Sequence, residues 1–491
     1  MKRNSIYIAL LAVVLNVSCN KYLEVNPDMR AELNTTAKIR EVLTNAYSKA
    51  SYAVFTEAAS DNAADKGLER PEDPVNANPW KFLPVNSKDL DSPTFYWNQT
   101  YRAIAAANVA IEAYNNLPTK DQNDPSILGE AYVARAFNHF MLVSLYAKMY
   151  DPATADSDPG IPYVTDAGKT VITKYERKTV KYVYEQIEKD LLAGLPLIDD
   201  SKYKVAKYHF NRAAANAFAT RFYLFKQDYQ KAVEYGQATL GENVKDYLRP
   251  LNGIAFRSLE YYDKAIYFST TTNPTNLLMT EVRSLLARNF AGYRYGLTTA
   301  LNAELMFSGN VTSGSYPYQL YGTITHYNHP KWYEHFVRSG LQANWGWAYV
   351  TQVSLTVDEL ILNRAEAYTY LGQYDRAISD LNQFASSKIM NGSTANSYNP
   401  STHGITETKI KNFYKTDDLK EGLIKTILDF KRREFMFEGL RYFDILRYKI
   451  PVVHVTYDNK NEYVLGPNDP RRAFQMPEEV SLSGIENNPT N

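Results

Sequence analysis

Cysteine, excess charge and long apolar runs are all scarce in this chain. A single cysteine, Cys19, excludes any disulfide bond within the 491 residues. The 54 basic and 54 acidic side chains balance, which removes the basic footprint expected of a nucleic-acid-binding protein. No segment stays apolar for the ~18 residues that a membrane-spanning helix needs. These absences favour a globular protein without a membrane-spanning helix and without a nucleic-acid ligand.

The sequence motifs of common enzyme classes are also absent. The chain contains no GxxxxGK(S/T) or GxGxxG phosphate-binding loop and no GxSxG nucleophile elbow. A glycosidase needs two carboxylates ~5–9 Å apart, and pairs such as Asp61 with Asp65 are expected by chance among 54 acidic residues. The spacing of His326, His329 and His335 matches no zinc pattern. We therefore predict a protein that is not an enzyme and that holds no metal or cofactor.

The N-terminus has the features of an export signal. Lys2 and Arg3 precede the apolar run Ile6–Leu15, which is too short to span a membrane. Cys19 follows this run at the position where a bacterial lipoprotein signal places its acylated cysteine. The pattern resembles such a signal, and an ordinary signal peptide with an unrelated cysteine is the alternative. We predict that Cys19 is lipidated, so that the mature chain is anchored to a membrane and does not span it.

Two helical hairpins stand out in the later two thirds of the chain. Asn211–Leu240 is rich in alanine and turns near Gln227, and Leu360–Ile389 repeats this scheme around Gly372. Small residues at helical spacing let two helices approach each other closely. Both segments resemble tetratricopeptide units, whose period is about 34 residues. Because more than a hundred residues separate them, we predict a helical scaffold with an insertion and not a continuous repeat array.

The segment between the hairpins, 241–355, has a different composition. Its helical periodicity is weak, its turn residues are frequent, and ten aromatic residues fall between Tyr316 and Tyr349. Three of the five tryptophans also lie here, namely Trp332, Trp345 and Trp347. We therefore predict a mainly α fold, a tetratricopeptide-like helical-hairpin scaffold with a large loop-rich insertion that carries a few short strands.

Charged and aromatic residues are closely mixed in Lys431–Arg447. Glu434, Glu438 and Arg441 lie at i, i+4 and i+7, along one stripe of a helix. Aromatic residues flank this stripe, whereas a solvated surface helix separates the two kinds of side chain. We interpret the charges as partly buried ion pairs that fix the packing of the fold. Gly439 interrupts the run, and we predict a bend there with the helix restarting directly after it.

This C-terminal motif, KRREFMFEGLRYFDILR, resembles a family pattern. Its arginines, acids and Gly439 fit E-R-x-x-E-x-x-x-E-G-x-R-(W/Y)-x-D-L-x-R, which marks the SusD/RagB-like family of outer-membrane nutrient-binding lipoproteins. The opening CNKYLEVNP at Cys19 is similar to that family, as are the helix from Trp97 to Asn108 and the closing segment from Phe474. The resemblance thus touches both ends of the chain and most helices between them.

The resemblance implies a binding protein at the cell surface. Such proteins capture oligosaccharide and pass it to a TonB-dependent outer-membrane transporter. We therefore expect a lipid-anchored protein of the outer membrane that faces the cell exterior. A related branch of the family takes peptides, so a peptide ligand is one alternative. A tetratricopeptide scaffold that binds only proteins, with the insertion as a structural cap, is the other.

Together these patterns divide the chain into five predicted parts. The stretch after the cysteine is polar and is interpreted as a tether between the lipid and the folded body. The parts are a signal peptide (1–18), a lipid-anchored tether (19–36), an N-terminal helical scaffold (37–240), the aromatic insertion (241–355), and a C-terminal helix pair with a loop and closing motif (356–491).

The chemistry of a sugar ring indicates which residue types are candidate ligand contacts. A sugar ring has an apolar face of C–H groups and a rim of hydroxyls, so proteins bind it with flat aromatic and short polar side chains on loops of a rigid scaffold. The predicted contact residues are Trp80, Trp332, Trp345, Trp347, Tyr318, Tyr321 and Asn344. Each of these aromatic residues has the alternative role of pinning a loop in place.

Overall fold

The structure is a computed structural model of the chain. It describes residues 33–167, 174–241, 243–289, 292–317, 321–322, 327–340, 342–395 and 397–489. The predicted signal peptide, the lipidation residue Cys19 and all but the last residues of the tether lie outside this part of the chain.

Helices dominate the described residues, and the predicted mainly α class is confirmed. The longer helices are Thr36–Leu43, Pro93–Asn115, Ser126–Tyr146, Val180–Gly194, Arg212–Lys226, Tyr229–Leu240, Tyr261–Phe268, Val357–Tyr370, Tyr374–Lys388, Glu407–Tyr414 and Leu419–Glu434. The shorter ones are Ala53–Ala58, Pro74–Trp80, Ile254–Arg257, Leu286–Asn289, Thr299–Asn302, Pro400–His403 and Arg441–Arg447. None of the helices in the part of the chain that the structure describes combines the length and hydropathy needed to span a bilayer.

The first predicted hairpin is present, and local chemistry explains its ends. The side chain of Asn211 accepts a hydrogen bond from the backbone N–H of Ala214 at 2.9 Å, which caps the helix Arg212–Lys226. Gln227 then adopts the left-handed conformation with a φ of 65°, which ends this helix. The second helix, Tyr229–Leu240, begins two residues later and returns along the first.

The two hairpins pack against each other although the insertion separates them in sequence. Arg364, from the helix Val357–Tyr370, lies against Gly236, where an added Cβ would come within 3.2 Å of the arginine side chain. The guanidinium of Arg364 also donates to the carbonyl oxygen of Gly241 at 2.8 Å and pairs with Asp380 at 2.7 Å. The tetratricopeptide-like scaffold is therefore continuous in space.

The described strands form three small antiparallel sheets. They are β1 (Ala64–Asp65), β2 (Asn276–Val282), β3 (Tyr295–Gly296), β4 (Glu334–Arg338), β5 (Gly346–Thr356), β6 (Val452–Val455) and β7 (Glu462–Leu465). Strands β2, β5 and β4 form the largest sheet in that order, while β1 pairs with β3 and β6 with β7. Strand β5 runs directly into the helix Val357–Tyr370, so the largest sheet is fused to the scaffold.

The charges of the C-terminal motif form the buried ion pairs that the sequence indicates. Glu366 pairs with Lys431 at 2.6 Å and with Arg447. Asp61 binds Arg441 through two contacts of 2.8 Å. Burial alone would raise the pKa of Glu366. The charges of Arg447 and Lys431 outweigh this effect and lower the pKa to about 2. These pairs join the motif to both halves of the scaffold.

The break at Gly439 is longer than predicted. The preceding helix already ends at Glu434, and the next one, Arg441–Arg447, begins after the glycine. Gly439 has a φ of 74°, which side-chain-bearing residues rarely adopt, and a Cβ there would collide with Thr56. The sequence identifies the glycine correctly, but the helix ends five residues before it.

A buried carboxylate explains this early end. Glu57 accepts hydrogen bonds from the backbone N–H of Phe437 at 2.9 Å and from that of Gly439 at 3.1 Å. These two backbone N–H groups therefore donate to a side chain and not to carbonyl oxygens of the preceding helical turn. Burial raises the pKa of Glu57 to about 7, although both N–H donors favour its charged form.

Candidate ligand-binding site

Trp80 lies in the core, which contradicts its predicted role as an exposed binding residue. Its side chain is 0% exposed, and Tyr295 and His454 stack on it at centroid distances of 4.1 and 4.8 Å. Its Nε1 donates to the carbonyl oxygen of Ala63 at 3.1 Å. The proline-containing segment forms the short helix Pro74–Trp80, whose last residue points inward. Both faces of this indole are therefore already occupied.

Trp332 is also engaged in packing. It is half-buried against a small core cluster that includes Met436 and Phe437. Its Nε1 donates to the carbonyl oxygen of Phe437 at 3.2 Å. The structure thus gives Trp332 the alternative role of pinning the insertion to the C-terminal motif.

Of the two predicted tyrosines, the structure describes only Tyr321. Tyr318 lies outside the described residues. Tyr321 exchanges backbone hydrogen bonds of 2.8 Å with Asn328, and its ring meets Tyr261 edge-on at a centroid distance of 5.1 Å. These partners belong to a different part of the insertion from the β4–β5 hairpin.

Trp345 and Trp347 are exposed, as a stacking role requires. Trp345 lies in the turn before β5 and is 62% exposed, and Trp347 lies at the start of β5 and is 45% exposed. Their ring centroids are 6.0 Å apart and their planes meet at 90°. Asn344 precedes them in the turn and is also exposed. We call Trp345 and Trp347 the tryptophan platform.

The register of β4 and β5 determines the face of the sheet on which Trp347 lies. Trp347 lies opposite Val337 in the ladder. Tyr349 lies opposite His335, two residues further along each strand, so both pairs share one face of the sheet. Val350 belongs to the other face and is fully buried. We call the face that carries Trp347 the outer face. Phe336 lies on the same face as Val350 and is 59% exposed, so both faces are open to solvent at the tip of the hairpin.

Strand β2 adds charged residues to the outer face. Arg283 directly follows β2, and its guanidinium carbon lies 3.9 Å from the centroid of the Trp347 ring. Oε1 of Glu281 lies 3.2 Å from Nε2 of His335. Sequence reasoning missed both Arg283 and Glu281. Their spacing of two residues indicates that both side chains lie on one face of a strand. The sequence does not show which strand is the neighbour of that strand.

A buried carboxylate holds the segment that follows Arg283. Asp91 accepts hydrogen bonds from the hydroxyl of Ser284 at 2.5 Å and from the backbone N–H of Leu285 at 2.8 Å. It has a φ of 68°, which is uncommon for a residue other than glycine. Burial raises the pKa of Asp91 to about 6. Asp91 thus ties the base of the platform to the start of the helix Pro93–Asn115.

Two family models match the chain. A model described as starch-binding and associating with the outer membrane matches residues 21–224, and a model of the SusD family matches residues 358–486. Together they cover about two thirds of the chain, including parts of both helical hairpins. The chain belongs to the SusD/RagB-like family, which is a family of carbohydrate-binding proteins.

The match to an individual relative agrees with this family assignment. SusD-like protein P2 from Formosa agariphila is 28% identical over 158 residues, which make up 31% of this chain and 28% of that protein. The match therefore spans less than a third of that relative's length.

Solved structures share the fold along nearly the whole chain. A SusD superfamily protein from Bacteroides thetaiotaomicron has a TM-score of 0.66 at 17% identity, covering 93% of this chain and 100% of that chain. A laminarin-binding SusD-like protein has a TM-score of 0.58 at 16% identity, with coverage of 93% and 100%. At these identities the similarity shows the fold alone.

Proposed function

We propose that this protein is a cell-surface glycan-binding lipoprotein that captures oligosaccharide and delivers it to a TonB-dependent outer-membrane transporter. The observation that carries the binding part is the tryptophan platform, two exposed indoles at right angles on a sheet fused to the scaffold. Flat aromatic faces suit the C–H face of a sugar ring. Membership of a carbohydrate-binding family supports a glycan ligand, and a protein of the same fold binds laminarin.

The mounting of the platform supports direct capture by the hairpin. Arg221 ties β5 to the scaffold by donating to the carbonyl oxygen of Ser354 at 2.9 Å while it pairs with Glu359. Binding groups on rigid elements lose little conformational freedom when the ligand arrives. At the platform itself, Trp347 pairs with Val337 in the ladder and its ring contacts Arg283, which holds this indole in position.

Alanine variants of the platform test glycan capture. Replacing Trp345 or Trp347 with alanine should weaken oligosaccharide binding more than tenfold, or ~1.4 kcal/mol, with the fold unchanged. Tyr457→Ala is the matched control because it removes another exposed aromatic residue, near the β6–β7 hairpin. Calorimetry against a panel of polysaccharides and peptides provides the measurement. Unchanged affinity in both tryptophan variants would exclude the platform as the binding site.

A peptide is the second candidate ligand, and the edge of the largest sheet favours it. Among the described residues, β4 pairs only with β5, which leaves one edge of β4 available to an extended peptide. A ligand bound in this way depends on its own backbone N–H groups. Backbone N-methylation of the peptide should then abolish binding, and a response to polysaccharides alone would reject this alternative.

The membrane anchor is proposed from Cys19. Each buried CH₂ of an acyl chain contributes ~0.8 kcal/mol, so two or three chains hold a protein firmly at a bilayer. Labelled palmitate should enter the wild-type protein and not the Cys19→Ala variant. Equal labelling of the two would show that Cys19 carries no lipid.

Delivery requires a stable complex with the transporter. A lipid anchor confines this protein to the membrane that holds the transporter, which raises the effective concentration of each near the other. The scaffold offers the broad helical side for an interface that we expect to exceed ~2,000 Å². Pull-down of tagged protein from detergent-solubilised membranes should recover a large β-barrel protein in near-equal amount. Recovery of this protein alone, under detergents that preserve other barrel complexes, would favour a free-standing surface binder.

A further inference from the structure

Arg283 lies against the tryptophan platform in a fixed position. Its backbone N–H donates to the carbonyl oxygen of Lys49 at 2.8 Å, and the two residues after it are held by Asp91. Its guanidinium carbon is 3.9 Å from the Trp347 ring centroid, well within the range of a cation–π contact. The side chain is only half-buried, so ligands in solvent can reach it.

The carboxylates around Arg283 are engaged by other groups. Glu281 contacts His335, and Asp91 accepts its hydrogen bonds from Ser284 and the backbone that follows. Glu334 on β4 shares a face of the sheet with Val350, opposite to the face of Arg283, and pairs with Arg288 at 2.6 Å. Among the residues that the structure describes, Arg283 therefore contacts an aromatic ring without forming an ion pair.

Two other arginines that contact aromatic rings, Arg294 and Arg447, each have an acidic partner. Arg294 lies 5.3 Å from the Tyr295 ring centroid and pairs with Asp65 at 2.8 Å. Arg447 lies 4.6 Å from the Phe225 ring centroid and pairs with Glu366. In both cases the scaffold already uses the hydrogen-bonding capacity of the guanidinium. Arg283 retains this capacity at the surface.

A guanidinium in this position is suited to an oxyanion. Arginine stays charged at all physiological pH values, stacks on aromatic faces, and offers its planar N–H donors to two oxygens of one carboxylate or sulfate group. A sugar ring seated on the neighbouring indoles would bring its substituents to the rim of the platform. A charged substituent there gains a direct contact that a hydroxyl provides more weakly.

We propose that the glycan bound at the tryptophan platform carries an oxyanion, as a uronate carboxylate or a sulfate ester, and that Arg283 binds this group. This proposal rests on the proposed glycan-binding function and names the substrate class of the same site. Arg283 is then the residue that selects acidic over neutral glycans.

Calorimetry on the full-length protein in detergent tests this selection. Three sets of oligosaccharides of matched length are compared, one neutral, one containing uronates and one sulfated. The wild type should bind at least one acidic set more than tenfold more tightly than the neutral set. Arg283→Gln should remove this preference and leave neutral binding within about twofold. Arg338→Gln, which removes another exposed arginine on the same hairpin, should change neither affinity.

The outcomes distinguish a failure of acidic selection by Arg283 from a failure of the proposed glycan-binding function. Equal wild-type affinity for neutral and acidic sets would overturn acidic selection while leaving glycan capture in place. An equal loss for both sets in Arg283→Gln would also overturn it, because the arginine would then only support Trp347. Absence of binding to all three sets would overturn the proposed function together with this inference. Dependence on Arg283 for one acidic set alone would support the proposal and identify the oxyanion.

Discussion

The C-terminal motif and the tryptophan platform use arginine in opposite ways. In the motif, Arg441 pairs with Asp61 and Arg447 with Glu366, largely shielded from solvent. At the platform, Arg283 lies over an exposed indole and forms no ion pair among the described residues. Both regions mix cations with aromatic rings, so residue type alone does not separate scaffold from site. Arg283 differs from these two motif arginines in combining partial solvent exposure with the lack of an acidic partner among the described residues.

Tryptophan shows the same contrast. Trp80 is enclosed between two rings, and its N–H is bonded to a backbone carbonyl, whereas Trp347 keeps nearly half of its side chain in solvent. Removing a buried group leaves a cavity or an unpaired charge, and removing an exposed one does neither. We therefore expect changes in the first region to affect stability and changes in the second to affect binding.

The largest expected effect comes from breaking a buried ion pair. Glu366→Gln leaves Lys431 and Arg447 buried without their shared carboxylate. We expect a loss of about 3–5 kcal/mol in the free energy of unfolding, measured by urea denaturation. Glu407→Gln, which breaks the exposed pair with Lys411, should leave the free energy of unfolding nearly unchanged, because solvent screens this pair. Similar losses for the two variants would remove the distinction between buried and exposed pairs.

Replacing the two contrasting tryptophans should give opposite results. Trp80→Ala opens a cavity in the core and should lower the free energy of unfolding by about 3–5 kcal/mol. Trp347→Ala should lower it by less than ~1 kcal/mol, because the ring is largely exposed. Thermal and urea unfolding of both variants, beside their glycan affinities, provide the measurement. A large stability loss for Trp347→Ala would show that the platform is part of the core.

Glu57 makes the free energy of unfolding depend on pH. Its pKa in the folded protein is about 7, above the ordinary value of 4.5, so protonation favours the folded state. The corresponding stability, roughly 3 kcal/mol, is present below the ordinary pKa and is lost as pH rises through 7. Between about pH 5 and about pH 8, the wild type should lose roughly 2–3 kcal/mol more than Glu57→Gln in urea unfolding. Parallel pH profiles for the two proteins would contradict a raised pKa.

The smallest expected effect concerns Arg283 in the absence of ligand. Arg283→Gln removes one exposed cation–π contact, so the free energy of unfolding should fall by only ~0.5–1 kcal/mol. Differential scanning calorimetry of the ligand-free protein measures this change. A loss as large as that of Glu366→Gln would place Arg283 with the structural arginines.

Much of the fold could be predicted because its signals are local. Alanine spacing with a polar turn is sufficient to place the hairpin at Asn211–Leu240, and mixed charges and aromatics indicate the buried pairs of Lys431–Arg447. The end of the helix at Glu434 could not be predicted in this way. It depends on Glu57, which is more than 300 residues away in sequence.

The candidate site was harder to predict because exposure depends on distant partners. Trp80 and Trp347 have the same chemistry in the sequence, and only Tyr295 and His454 make the first a core residue. Arg283 was missed because its contact with Trp347 requires the pairing of β2 with β5. Strand alternation predicts that neighbouring side chains share a face, but it does not identify the neighbouring strand.

The insertion also delays the synthesis of the second hairpin relative to that of the first hairpin, which it contacts. The helix that contains Gly236 is complete long before Arg364, the residue that covers it, has been added to the chain. At ~5–20 residues per second, this gap of more than a hundred residues corresponds to roughly 6–25 s of translation. Throughout that interval the side of the first hairpin that Arg364 later covers has no partner within the chain. Slow codons within the insertion would lengthen this exposure, whereas deletion of the insertion would nearly abolish it.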